Sequence, residues 1–359
     1  MDLSDLVSVR LASRRLLNDG GVPKLDAVIC NAGVGGWSGL NWPLAVYKIM
    51  TDIVEATTRP TYKLGIVGSV VPKLGAKYGQ QDAQEPPLGE IFAANLFGHY
   101  MLGHDLAPLL ARGQQGRGGR LIWLGSTEAD AAAFDAHVDD DIQNLKNDIS
   151  YENIKRLTEV LALTSQLPST RPWVDAYWSS DSTAAQTSAT SSPQICIAHP
   201  GIVGTNIFPL PLILSYCVMF ATWLARVFGS IWHPITPYKG AVAPVWVALA
   251  SLETLETMEA ETADGSSGGK GKWGSAADVW GEERVERTEV TGWGYGGRVV
   301  EGPIGRRKGR WRDAVDLTKE RREEFEEVGR KCWRAMEELR VQWEGRVDAI
   351  VRRLDKQES

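Results

Sequence analysis

Along this chain, short apolar runs alternate with longer segments of mixed character. Leu25 to Cys30 reads LDAVIC and turns into Asn31-Ala32-Gly33. A short apolar run closed by a turn predicts a buried parallel strand that ends in a loop. Arg120–Gly125 (RLIWLG) and Gln194–Ala198 (QICIA) repeat that pattern. Residues 88–111 have few breakers and apolar positions on more than one face, which predicts a helix buried between the sheet and a neighbour. Residues 150–166 predict another helix. Strands alternating with helices indicate an α/β fold with a Rossmann-like, doubly wound parallel sheet. Residues 34–86, rich in Gly, Pro and small residues and carrying Trp37 and Trp42, predict mostly loop with short elements.

Three further segments break the alternation. Residues 179–193 are polar, small and repetitive, and predict a disordered surface insertion. Residues 263–275 predict a second flexible loop. Residues 208–232 are the most apolar stretch, with no charge from Phe208 to Ala225. Pro209 and Pro211 shorten the helical part to Leu212 onward, below the roughly 20 residues that a membrane span needs. A buried helix over a substrate, a segment dipping into one leaflet and a true span all remain open readings. From 318 to 355 the chain is highly charged, with Phe325, Val328, Cys332, Met336, Leu339, Trp343, Val347, Ile350 and Leu354 on one stripe. That spacing predicts one long amphipathic helix, packed on its own domain or on a partner helix. The expected division is a main domain over 1–300 and a charged helical extension over 301–359.

Composition narrows the class. The chain has 359 residues, enough for one large α/β domain with additions, and a formal net charge of -6. It lacks the basic footprint that nucleic-acid binding leaves, so no nucleic-acid partner is expected. Four scattered cysteines, none in a CxxC pair, point to free thiols in a reducing compartment. The opening Met1-Asp2-Leu3-Ser4-Asp5 carries acids where a secretory signal would carry bases. No pattern of metal ligands stands out.

Chemistry enters at Tyr151-Glu-Asn-Ile-Lys155, which puts a phenol and an ammonium four apart on one helix face. A free tyrosine titrates near pH ~10. A neighbouring cation favours the phenolate and is expected to bring that value down, so that the phenol can act as a general acid toward a carbonyl. Ser126 ends the strand RLIWLG, where a hydroxyl either holds the same carbonyl oxygen or caps a turn. Asn95, inside the buried helix, needs partners; it bonds backbone nearby or anchors a water beside Lys155. Asn31-Ala32-Gly33 and Pro200-Gly201 with Thr205 follow strand ends, where open α/β sheets bind ligands.

In this order, Asn31-Ala32-Gly33, Asn95, Ser126, Tyr151/Lys155 and Pro200-Gly201…Thr205 resemble the short-chain dehydrogenase/reductase family. Within it the chain is most similar to the fungal 3-ketosteroid reductases of sterol C-4 demethylation. The segments ICNAG, FAANLFGHYML, LIWLGS, DISYENIKRL, HPGIVGTNIF and KWGSAADVWGEERVERTEVTGWGYGG carry the likeness over about residues 1–300. The resemblance implies that NADPH delivers a hydride to the 3-keto group of a sterol intermediate. Tyr151 would protonate the oxygen, and Lys155 would tune Tyr151 and bind the nicotinamide ribose. Ser126 would orient the carbonyl, and Asn95 would hold a relay water. Asp2, Asn31, Ala32 and Gly33 would line the adenosine side, while Pro200, Gly201, Val203 and Thr205 would hold the carboxamide. It also implies the cytosolic face of the endoplasmic reticulum membrane or a lipid droplet, and other sterol C-4 demethylation enzymes as partners.

One family feature is not found. The Gly-rich strand–turn–helix that seats a pyrophosphate has no counterpart, and Met1 to Asp5 already resembles the end of the family's third strand. Neither the glycines of Gly33–Gly39 nor those of Gly292–Gly297 replace it, since no phosphate-seating helix follows. The expectation is therefore an N-terminally truncated domain, poorly soluble as written. It would be an active ketosteroid reductase in ancestry, a reductase of another terpenoid or steroid ketone, or a catalytically impaired form that serves as an interaction protein.

Overall fold

The computed structural model describes residues 1–79, 82–179, 192–204, 211–260, 269–299 and 308–358. Its centre is a five-stranded sheet in the order β1-β4-β5-β6-β7. The strands are β1 (Ala27–Cys30), β4 (Arg120–Leu124), β5 (Gln194–His199), β6 (Lys272–Ala277) and β7 (Glu283–Thr288). The first four run parallel and β7 returns antiparallel. A separate two-stranded antiparallel sheet pairs β2 (Trp37–Leu40) with β3 (Lys63–Gly65). The expected Rossmann-like α/β sheet is present, and all three strands predicted from apolar runs lie in it.

Both faces of the sheet are covered, which explains why β4 reads RLIWL with every position buried. Leu121 and Trp123 face one core together with Ile195 and Ile197 of β5. Ile122 and Leu124 face the other, with Cys196, Ala198 and Trp273. Four helices build the first layer: α1 (Leu6–Asn18), α4 (Gly98–Asp105), α5 (Ser150–Thr164) and α8 (Lys319–Glu358). Helix α7 (Val242–Leu249) covers the second face through Ala243 and Val247. The remaining labelled helices, α2 (Trp42–Thr51), α3 (Ile53–Thr58) and α6 (Leu212–Val227), stand beside the strand ends.

The predicted helix over 88–111 runs without interruption from Glu90 to Asp105, with a π-turn (Ala93–Phe97) ahead of α4, and one more helical turn follows at Ala107–Leu110. The long C-terminal helix packs on its own domain. Phe325, Cys332, Trp333, Met336, Trp343 and Val347 join the main core, and Trp333 Nε1 donates to the Leu161 carbonyl at 3.1 Å. Charge ties the same helix down: Arg340 reaches Glu344 at 2.7 Å and His104 Nε2 at 3.1 Å, while Arg10 of α1 reaches Glu344 at 2.8 Å and Asp105 at 3.2 Å. His104, Asp105 and Glu344 form a cluster of metal-ligand type, but the two guanidinium groups already supply its positive charge.

The short elements within residues 34–86 include α2, α3 and the antiparallel pair β2–β3; Asn41 and Asp52 cap the helices by accepting from the Leu44 and Glu55 N–H groups. The second loop expectation needs correction. Residues 272–275 of the second expected loop belong to β6, buried throughout. Small residues let that strand pass under neighbours: a Cβ on Gly274 would lie 2.3 Å from His199 Nε2. Residues 180–191 of the expected insertion, 208–210 of the apolar stretch and 261–268 lie outside the described residues. Among the described residues no helix is long and apolar enough to cross a membrane.

Candidate active site

The carboxyl ends of β1, β4 and β5 open into one cleft of about 520 Å³, the place where open α/β sheets bind ligands. Asn31 and Gly33 reach it from β1, Ser126 from β4, and Pro200, Gly201 and Val203 from β5. Tyr151 and Lys155 enter from α5, and Asn95 from the π-turn.

Tyr151 is carried by a well-fastened segment. Asn144, at a φ of 55°, accepts from the Asn153 side-chain amide at 2.6 Å, and the Ser150 hydroxyl donates to its carbonyl at 2.8 Å. The 24 residues between Ser126 and Tyr151 therefore fold back and fix the start of α5. Its ring meets Trp37 edge-on at 4.9 Å, and Lys155 Nζ lies 5.4 Å from the ring centre. Burial, with Glu128 and then Glu152 nearby, pushes the phenol above its ordinary range, while a hydrogen bond with Ser126 pulls the other way. The expected lowering by Lys155 is not found: the loss of water around the ring is the largest influence on the phenol, and Ser126 is the group that opposes it.

Lys155 is buried, and its ammonium donates to the Leu124 carbonyl at 2.7 Å. Burial and the like charge of Lys272 bring it down to about 8, with Glu128 opposing. Lys272 Nζ donates to the Ser126 carbonyl at 2.5 Å and pairs with Glu159. Two lysines thus hold the carbonyls of Leu124 and Ser126, on either side of Gly125, at the end of β4. Ser126 Oγ accepts from the Glu128 N–H at 3.1 Å.

Asn95 uses its amide on backbone. Nδ2 donates to the Val34 and Ile91 carbonyls, both at 2.9 Å, and Oδ1 accepts from the Val34 N–H at 3.2 Å. Ile91 is the acceptor that residue 95's own N–H would take in a regular α-helix, so the side chain stabilises the π-turn and clasps the loop after β1. At β5, Gly201 has a φ of +67° and donates to His199 Nδ1 at 3.1 Å. His199 Nε2 lies 2.7 Å from the Thr288 hydroxyl. Val203 forms a parallel bridge with Ile235.

Other expected residues lie off the cleft. Asp2 is exposed before α1, where its carboxylate accepts from the Ser4 N–H and hydroxyl at 2.9 and 2.7 Å. Ala32 does not line the cleft; its carbonyl accepts from His99 Nε2 at 2.9 Å. Thr205 lies outside the described residues. Sequence reasoning missed Glu128 and Thr57, which line the cleft. It also missed Lys63, whose ammonium stands over the Trp37 ring at 3.9 Å. Lys63 lies far from Tyr151 along the chain, so no local pattern could have found it.

The cleft combines a phenol, a hydroxyl and an ammonium with bare backbone at Gly33, Gly125 and Gly201. A Cβ on Gly201 would fall 2.7 Å from the Ser275 carbonyl, so the turn after β5 must stay bare. This donor set, beside glycine-bare strand ends, fits the ribose and nicotinamide half of a dinucleotide.

A Rossmann-like sheet with these groups at its strand ends belongs to the class of nicotinamide-dependent oxidoreductases. A 3-keto-steroid reductase of Aspergillus fumigatus is 46% identical over 357 residues, 97% of this chain and 77% of that protein. A 3-keto-steroid reductase of Gibberella zeae is 38% identical over 335 residues, 90% of this chain and 68% of that protein. One from Schizosaccharomyces pombe is 28% identical over 292 residues, 81% of this chain and 70% of that protein. No protein-family model matches the chain. The chain belongs to the 3-keto-steroid reductase family.

Proposed function

We propose that this protein reduces the 3-keto group of a sterol intermediate to a 3-hydroxyl in ergosterol-type sterol biosynthesis, with NADPH as the reductant. The observation that carries the reading is the 46% identity to a fungal 3-keto-steroid reductase over 97% of the chain. It is supported by Ser126, Tyr151 and Lys155 lining one cleft. A bound nicotinamide would supply the hydride. Tyr151 and Lys155 would hold its ribose, Asn31 and Gly33 would face the adenosine side, and Pro200, Gly201 and Val203 would meet the carboxamide. Ser126 orients the ketone oxygen and Tyr151 gives it a proton. A phenol held above its ordinary range stays protonated at neutral pH, which suits a proton donor. Lys155 carries the nearby positive charge that steadies the phenolate left behind. Asn95 acts through the loop after β1, whose backbone it fixes.

The preference for NADPH over NADH rests on the resemblance to the fungal 3-ketosteroid reductases. Oxidation of NADPH with a 3-keto sterol, followed in the wild type and in Tyr151→Phe, tests the chemistry. A loss of about two orders of magnitude or more in the variant is expected; equal rates would sink the assignment of Tyr151. Faster turnover with NADH would overturn the choice of cofactor.

The same reading places the protein at a lipid surface, on the cytosolic face of the endoplasmic reticulum or a lipid droplet. Helix α6 exposes Ile213 (77%), Tyr216 and Phe220, and α2 exposes Val46, Tyr47 and Met50 (81%). Both helices pack on α3, whose Thr57 lines the cleft. An apolar surface beside the cleft mouth suits a helix lying in the interface and a substrate arriving from lipid.

A further inference from the structure

Lys63 centres a second charge cluster beside Tyr151, one that the roles above leave unused. Its ammonium pairs with Glu128, two residues beyond Ser126, and with Glu152 at 2.6 Å, the residue after Tyr151. All three side chains are largely buried, with exposures of 8%, 16% and 13%. The same ammonium lies 3.9 Å from the Trp37 ring centre and 5.4 Å from that of Tyr151. The two-stranded β2–β3 sheet that carries it presses against the segment leading to α5: a Cβ on Gly65 would fall 1.6 Å from the Asp148 carbonyl oxygen.

Two buried carboxylates repel each other unless a cation stands between them. Among the described residues the second oxygen of Glu152 is buried without a hydrogen-bond partner, so Lys63 is the group that compensates this carboxylate. Each carboxylate is joined by a very short piece of backbone to a cleft residue. Glu128 also donates its N–H to Ser126 Oγ. Fixing both on one ammonium fixes the Ser126 loop relative to the Tyr151 helix.

We propose that Lys63 is a positioning residue for ketone reduction: by clamping Glu128 and Glu152 it sets Ser126 against Tyr151 and holds Trp37 edge-on to the phenol. The inference rests on the ketone-reduction reading of the same cleft. Lys63 acts through its partners and is not among the residues lining the cleft.

Glu128 is faced by Lys63 from β3, by Tyr62 beside it, and by Glu152, Tyr151 and Lys155 from α5. Burial raises the Glu128 carboxyl, and Lys63 is the largest influence against that rise. Without Lys63 the carboxyl rises further and its protonation enters the acid limb of the kcat profile.

The test uses the full chain as wild type, Lys63→Met, Lys63→Arg, Glu152→Gln and Tyr151→Phe, with NADPH and a 3-keto sterol over a range of pH. In Lys63→Met, kcat is expected to fall about tenfold or more with KM within about twofold, because misplaced groups cost rate at the chemical step. Its acid limb moves to higher pH, and Lys63→Arg recovers most of kcat. A wild-type kcat and pH profile in Lys63→Met, or Lys63→Arg as impaired as Lys63→Met, overturns the proposal. If Lys63→Met fails to fold, Glu152→Gln decides: a lower kcat with unchanged KM supports the clamp, and a wild-type kcat and profile overturns it. Wild-type reduction that Tyr151→Phe abolishes and Lys63→Met leaves intact sinks the clamp alone. No reduction by the wild type sinks both readings.

Discussion

A Cβ placed on Gly33 would lie 2.3 Å from Oδ1 of Asn95. The loop after β1 and the π-turn are therefore fitted to each other at a distance that only glycine permits. Gly33→Ala is expected to break the Asn95 clasp on Val34 and to cost about 1–3 kcal/mol, the usual penalty for overpacking and for orphaned buried amides. Asn95→Ala removes the obstacle and the clasp together. The double variant should therefore be no less stable than Gly33→Ala alone, a non-additivity of neighbours. Denaturant unfolding of the three variants measures this; additive losses would refute it.

Much of this arrangement was legible in the residue pattern, and the reason is local. LDAVIC, RLIWLG and QICIA are buried on both faces, so their apolar runs name the strands directly. Tyr151 and Lys155 share one helix face, so their spacing places them together. What stayed hidden depends on contacts distant in sequence. Strand β6 reads as a Gly-rich loop until Trp273 and Ala276 are seen buried between neighbours. Lys63 acquires its meaning from Glu128 and Glu152, and the Asn95 side-chain amide acquires its backbone partners from the loop after β1 and from Ile91. The pKa of Tyr151 follows from burial, which no local spacing reveals.

Lys155 sets a stability trend with pH. Its folded value, about 8, lies below its ordinary 10.5. Below pH 8 the ammonium is charged in both states, and its burial penalty is present in full. Between those values the unfolded chain binds more protons, so stability rises with pH across that window. The stability of the wild type relative to Lys155→Met should improve by roughly 2 kcal/mol between pH 8 and 10. Denaturant midpoints of both proteins at the two pH values check this. A pH-independent difference would show that Lys155 is not the titrating group.

The same value predicts the alkaline limb of catalysis. kcat/KM reports the ionisations of the free enzyme. Lys155 loses its charge near pH 8, whereas Tyr151 keeps its proton well beyond its ordinary range. Ketone reduction should therefore decline above about pH 8, because the cation beside the phenol disappears. A kcat/KM that stays flat to about pH 10, the free phenol's range, would assign no catalytic charge to Lys155.

Glu344 fastens the C-terminal helix in a pH-dependent way. His104, together with Arg10 and Arg340, holds its carboxyl down at about 2. A depressed carboxylate contributes stability that is present above its ordinary 4.5 and lost as pH falls through about 2. The side chain is 25% exposed, so solvent screening limits the effect. Glu344→Gln is expected to cost about 1 kcal/mol at neutral pH and little near pH 2. Thermal unfolding at the two pH values distinguishes this from a loss of packing, which would be equal at both.

Helix α6 offers the test of lipid contact. Ile213 and Phe220 are exposed at 77% and 60%, and neither lines the cleft. Burying such side chains in an interface contributes about 1.5–3 kcal/mol each, so the pair accounts for roughly a hundredfold to ten-thousandfold in partitioning. The wild type should float with vesicles of neutral phospholipid, and Ile213→Glu/Phe220→Glu should stay in the aqueous layer. Turnover of a detergent-dispersed 3-keto sterol should be unchanged in that variant, since the cleft is untouched, while turnover of the same sterol presented in vesicles should fall. Equal flotation of both proteins would show that α6 does not meet lipid and that its apolar face is covered in another way.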